Sequence, residues 1–235
     1  MKLVLSTLVF TGAALIAAFV PVTATAGAVN ISNPFGAFNL QTKSLQEMRW
    51  DSVIRQQYDF SCGSAAVATL LTYHYNLPTR EEDVFQAMIT AGDRAKIQQN
   101  GFSMLDMKRY LDSRGFRSDG FKMSLDKLMK IGMPGITLIN TQGYQHFVVV
   151  KGLDQNHVLV ADPAVGSVVV PRAHFETIWN GSILGARSYA NIARENFNSD
   201  RDWRIRPQPP IAKGVSRAAI GPMLLNLPGR NELGK

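Results

Sequence analysis

Cysteine occurs once in these 235 residues, as Cys62. A single thiol excludes an internal disulfide framework and any cysteine-rich zinc site. Histidine is also scarce, with four in the chain, and no two stand at the helical spacing of a metal-binding pair; the expectation is no metal and no cofactor. The sequence lacks Lys/Arg runs interleaved with aromatics, so its net charge of +7 does not read as a nucleic-acid surface. It contains no internal repeat and no low-complexity tract. After the N-terminal segment no apolar run is long enough to span a bilayer.

That N-terminal segment starts at Lys2, is largely apolar from Leu3 to Val20, and reaches the small-residue sequence Ala24-Thr25-Ala26. This is the pattern of a cleaved signal peptide over residues 1–26, and it predicts an exported protein, periplasmic in a Gram-negative cell. Residues 27–50 have little periodicity and read as an N-terminal extension. Residues 51–190 form the expected domain, and 191–235 a basic tail with recurrent Pro and Gly, extended in isolation.

Within the domain the chain changes period. Cys62 to Asn76 is rich in Ala and Leu and precedes Leu77-Pro78, which predicts a helix. Thr79-Arg80-Glu81-Glu82 reads as a capping box for a second helix, and Ser103 and Ser124 as caps of two more, stopping at Gly115 and Gly132. Residues 136–139, 147–150, 158–160 and 167–170 are β-branched-rich runs separated by turn residues; a short helix over 173–179 and a last strand over 182–186 follow. Helices first and antiparallel strands second describe an α+β domain, two layers over one core.

Cys62 opens the first of those helices. The positive end of a helix dipole favours thiolate over thiol, and the thiolate is the nucleophile. An exported chain that retains one unpaired thiol risks its oxidation, which fits a chemical role. Cysteine catalysis needs a base and a group that orients the base. His146, at the start of Phe147-Val148-Val149-Val150, and Asp162, at the end of Val158-Leu159-Val160-Ala161, supply that set in chain order. Gly63, Ser64, Ala65 and Ala66 are small, which reads as room for a substrate backbone beside the sulfur. Gln56, six residues before Cys62, is placed to offer an amide to an oxyanion. His74 reads as a packing or surface residue, His157 as a turn residue and His174 as part of an amphipathic helix with Phe175, none of them catalytic.

The block Gln56 to Gly63, the pair His146-Phe147, and Asp162-Pro163-Ala164-Val165-Gly166 followed by Phe175, Trp179, Gly181 and Leu184 resemble the bacteriocin-processing cysteine peptidase family (C-39) over residues 50–188. The resemblance implies a papain-like cysteine peptidase fold and cleavage after a double glycine. It implies Cys62 as nucleophile, His146 as base, Asp162 as its orienting residue and Gln56 as the oxyanion donor. Many members head a membrane transporter. Here the export signal and basic tail imply a free-standing form, similar to exported peptidases encoded with functional-amyloid secretion systems. Its implied partners are a peptide or protein substrate of a secretion system, amyloid subunits, or an outer-membrane export pore. Two other readings stay open at this point: a non-catalytic module that binds a leader or tail, and a transpeptidase or amidase using the same acyl-enzyme chemistry.

Overall fold

The computed structural model describes residues 43–205 and the backbone of two strands before them, and the chain divides into two units, residues 1–43 and 44–235. The segment 1–26, expected as a signal peptide, and residues 206–235 lie outside the described residues. In the first unit, β1 (Ala28–Asn33) and β2 (Gly36–Gln41) pair antiparallel, with Asn33 opposite Gly36. The stretch read as an aperiodic extension therefore contains a hairpin.

The second unit begins with α1 (Leu45–Met48), where the Ser44 hydroxyl accepts from Glu47 N and the Glu47 carboxylate accepts from Ser44 N. Four helices follow: α2 (Cys62–His74), α3 (Glu81–Ala91), α4 (Arg94–Asn100) and α5 (Met104–Ser113). The strand β3 (Ser118–Lys122) and helix α6 (Leu125–Ile131) lead to four consecutive strands, β4 (Gly135–Thr141), β5 (Tyr144–Leu153), β6 (His157–Asp162) and β7 (Gly166–Pro171). After α7 (Arg172–Ile178), strand β8 (Trp179–Ala186) returns to the sheet, and α8 (Ala190–Glu195) and α9 (Asp200–Trp203) complete the described chain. The sheet is antiparallel throughout, in the order β3-β8-β4-β5-β6-β7.

α2 is buried along almost its whole length. A helix can be enclosed on all sides only if its residues are apolar or small all round, which the Ala-rich segment provides. One core lies between α2 and the sheet, taking Phe147, Val149, Ala161 and Leu184 from the strands. The other lies on the opposite sheet face, where Val148, Val150, Val158, Val160 and Ile183 pack with Phe175 of α7. β5 is thus covered on both faces, the reason it reads as a continuous apolar run. Each such fully buried side chain contributes about 1.5–3 kcal/mol.

The caps at Ser103 and Ser124 form as expected, and Gly132 adopts φ 63° to end α6. The capping box at Thr79 does not form. Its hydroxyl donates to Leu77 O, its amide donates to Thr72 Oγ1, and the chain enters α3 at Arg80 without a side-chain cap.

The expected tail start at 191 is corrected by the structure. Residues 190–203 fold onto the domain, with Ala193, Phe197 and Asp202 buried. Asn198 N donates to Lys151 O (3.0 Å), Leu153 N donates to Asn198 Oδ1 (2.7 Å), and Asn198 Nδ2 donates to Leu153 O (3.1 Å), so this segment satisfies the backbone of β5 where its register with β6 shifts. The approach requires Gly152, because a Cβ there would stand 2.3 Å from Asn198 Oδ1. Beneath it lies Lys151, fully buried, its Nζ bonded to Ser52 and Ser167 and 3.2 Å from Asp202 Oδ1.

Candidate active site

Cys62 is delivered by a tight turn. Ser61 N donates to Tyr58 O (3.0 Å), and Tyr58 N donates to Ser61 Oγ (3.1 Å). The Ser61 side chain is spent on this turn and does not cap α2. The turn is braced by rings: Tyr58 and Phe60 each pack on Phe85, at 5.1 and 5.8 Å between centroids, and Phe85 meets Phe102 edge-on at 5.5 Å. Cys62 then occupies the first position of a thirteen-residue helix, 8% exposed.

The small residues after it have a different role from the one expected. Gly63 to Ala66 are all buried. A Cβ on Gly63 would lie 3.0 Å from Phe102 Cβ, so glycine here permits helix packing rather than substrate approach. Ser64 carries its hydroxyl between Ser61 O (2.9 Å) and the buried Glu81 carboxylate (2.7 Å), tying the first turn of α2 to the start of α3.

His146 enters from β5. Its Nε2–H donates to Asp162 Oδ1 at 2.8 Å, and its Nδ1 is buried without a hydrogen bond of ordinary geometry. Burial disfavours the charged ring. The hydrogen bond to Asp162, the nearby Cys62 thiol and the charges of both outweigh it, and the His146 pKa is raised to about 9. The ring of Tyr144, half exposed, stacks on the imidazole with centroids 5.8 Å apart.

Asp162 is fixed by its own sequence. It ends β6, and its Oδ1 also accepts from Ala164 N (2.7 Å), an Asx turn closed by Gly166 at φ 87° opposite Asp162 in the β6–β7 register. Asp-Pro-Ala-Val-Gly thus serves at once as hairpin and as carboxylate holder.

Gln56 joins the two sides. Its backbone N donates to Pro163 O (3.0 Å), next to Asp162, and its Nε2 donates to Tyr58 O (3.1 Å) on the turn that presents Cys62. Gln57, its neighbour, is exposed. Of the other histidines, His74 is buried at the far end of α2 with its pKa lowered to about 4, chiefly by burial and then by Lys151. His157 lies beside Asp154 at the start of β6, and His174 is exposed on α7. Among the described residues no group of three or more His, Cys, Asp or Glu could hold a metal.

The four expected residues therefore converge from four separate segments. Cys62 opens onto a cleft of about 740 Å³ whose other walls come from the end of α4, the start of β5 and the start of β8. Tyr144 and the α4 wall were absent from the sequence reading. α4 buries only Ile97 and offers no periodic signal, whereas Tyr144 stands two residues from His146 and was open to notice.

Comparison with known proteins identifies the family. The Peptidase C39 family model matches residues 51–191. Over 144 residues the chain is 39% identical to the protein named "Probable functional amyloid protease FapD" of Pseudomonas fluorescens, covering 61% of this chain and 64% of that one; the protein of the same name from Pseudomonas aeruginosa matches at the same identity and coverage. The chain thus spans just under two thirds of the length of these relatives. It is 29% identical over 135 residues to the lactococcin-G-processing and transport ATP-binding protein LagD of Lactococcus lactis, covering 56% of this chain and 18% of that one. Among solved structures, a double glycine motif protease in complex with its leader peptide aligns at 27% identity and a TM-score of 0.48, covering 57% of this chain and 89% of that one. With 141 consecutive residues matched by the family model, the chain belongs to the Peptidase C39 family and carries an α+β, papain-like cysteine peptidase domain.

Proposed function

We propose that this chain is an exported cysteine peptidase that performs limited proteolysis of a secretion-system or functional-amyloid substrate at a glycine-containing site. The observation that carries the catalytic part is His146 anchored at Nε2 by Asp162 and electrostatically coupled to the thiol at the N-terminus of α2. The N-terminal sequence supports export, and the Pseudomonas relatives, named as functional amyloid proteases, support the substrate class.

The chemistry runs as acyl transfer. With Nε2 committed to Asp162, Nδ1 is the ring nitrogen that exchanges a proton with the Cys62 sulfur. The thiolate forms a C–S bond to the scissile carbonyl carbon, and the charge passes to the carbonyl oxygen. The backbone N–H of Cys62 and the side-chain amide of Gln56 serve as donors to that oxyanion. The C–N bond then breaks as His146 gives its proton to the leaving amine. Water, deprotonated by the same ring, attacks the thioester and restores the thiol. Asp162 keeps the imidazole oriented and its cationic form stabilised.

The test pairs a thiol-directed electrophile with a cleavage assay. Wild type is expected to be labelled at Cys62 and to release discrete fragments from glycine-containing exported substrates. Cys62→Ala should lose turnover by about 10⁴-fold or more while keeping its circular dichroism spectrum. Cleavage by the alanine variant at the wild-type rate would end the proposal. Ligated products in place of fragments would make the chain a transpeptidase.

A further inference from the structure

We propose that the cleft beside Cys62 selects an uncharged peptide segment rich in carboxamide and hydroxyl side chains. Turnover of such a segment rests on the peptidase reading above; its binding does not. Sixteen residues line the cleft, and Asp59 alone among them is charged, although 18% of the chain is Asp, Glu, Lys or Arg. Five carboxamides line it instead: Gln98, Gln99 and Asn100 at the end of α4, Gln145 on β5 and Asn180 on β8. They come from three segments distant in sequence, so they are not one polar stretch that happens to be exposed.

A carboxamide presents two donors and one acceptor oxygen, and it hydrogen-bonds equally well to a peptide backbone or to another carboxamide. It offers nothing that neutralises a lysine or a glutamate. Away from Asp59, a charged side chain entering the cleft would give up hydration without a counterion, and the cost of that desolvation rejects it. Phe60 and Phe102 also line the cleft and offer apolar surface to the stems of extended residues. Asn180 is held in place, its Oδ1 accepting from Ser182 N at 2.9 Å. The chain's net charge of +7 makes the absence of Lys and Arg from this lining the more informative, because attraction of an acidic peptide would use them.

The experiment uses the full-length Cys62→Ala protein and three fluorescein-labelled twelve-residue peptides. Each has a central Gly-Gly, with flanks of Asn, Gln and Ser in one, Lys in the second and Glu in the third. Fluorescence anisotropy is expected to give the neutral peptide a Kd at least about tenfold below both others. Adding Gln99→Glu with Asn180→Asp, which keeps the acceptor for Ser182 N, should transfer the preference to the Lys peptide. Equal affinities, a tighter charged peptide, no binding by any peptide, or a preference unmoved by the two acidic substitutions would overturn the inference. If wild type leaves the bound neutral peptide uncut, the peptidase reading fails and the binding preference stands.

Discussion

Asp162 grips His146 with an oxygen that it also lends to its own turn: Oδ1 accepts from His146 Nε2 at 2.8 Å and from Ala164 N at 2.7 Å. Replacing the aspartate by asparagine keeps an acceptor for the turn and removes the charge. The pKa of His146 is raised from 6.5 to about 9, so the imidazolium persists below about 9 and is lost as pH rises through it. Activity that depends on the imidazolium should therefore fall on the alkaline side near pH 9 in wild type. In Asp162→Asn that limb should move down by a unit or more, read from kcat/KM against pH.

Gln56, rather than Gln57, is expected to matter for turnover. The Gln56 amide is tied to the turn that carries Cys62, whereas Gln57 is exposed. Gln56→Ala should lower kcat by about 10²–10³ with little change in KM, the signature of a donor used only in the transition state. Gln57→Ala should match wild type in the same assay.

The buried ion pair of Lys151 and Asp202 predicts a stability effect with no catalytic counterpart in chemistry. Asp202→Ala leaves the fully buried ammonium with only Ser52 and Ser167 as partners and should cost about 3–5 kcal/mol in urea denaturation. Lys151→Met combined with Asp202→Ala removes both charges and should recover most of the loss.

His74 sets an acid limit. Its pKa is lowered to about 4, so above pH 6.5 it is neutral in both folded and unfolded chains. As pH falls from 6.5 towards 4 the unfolded chain takes up a proton that the folded one refuses, and stability declines. Tm measured between pH 7 and 4 should fall less steeply in His74→Gln than in wild type.

What the sequence disclosed follows from how local each cause is. Ser103 and Ser124 cap helices through residues three positions away, and β-branched runs mark β4, β5 and β6 because those strands are largely buried. The catalytic candidates were legible from spacing and from the family resemblance. β3 was not, since Ser118-Asp119-Gly120-Phe121-Lys122 has no β-branched residue and becomes a strand only by pairing with β8. α4 escaped notice for a similar reason, with only Ile97 directed into the core. The segment 191–203 looked like tail by composition, and its place is decided by Asp202 and Asn198 meeting residues some 45 to 50 positions earlier. Thr79 failed as a cap because Leu77 O and Thr72 Oγ1 claimed its polar groups first.

The link between β5 and the end of the domain also has a bearing on timing. His146 and Lys151 share one strand, and the counterion of Lys151 is Asp202. During synthesis Cys62 emerges first, His146 some eighty residues later, and Asp202, the counterion of a lysine on the strand of His146, later still. On the proposed mechanism, thiol and imidazole can pair only after β5 is made, and β5 keeps a buried charge without its counterion until Asp202 follows.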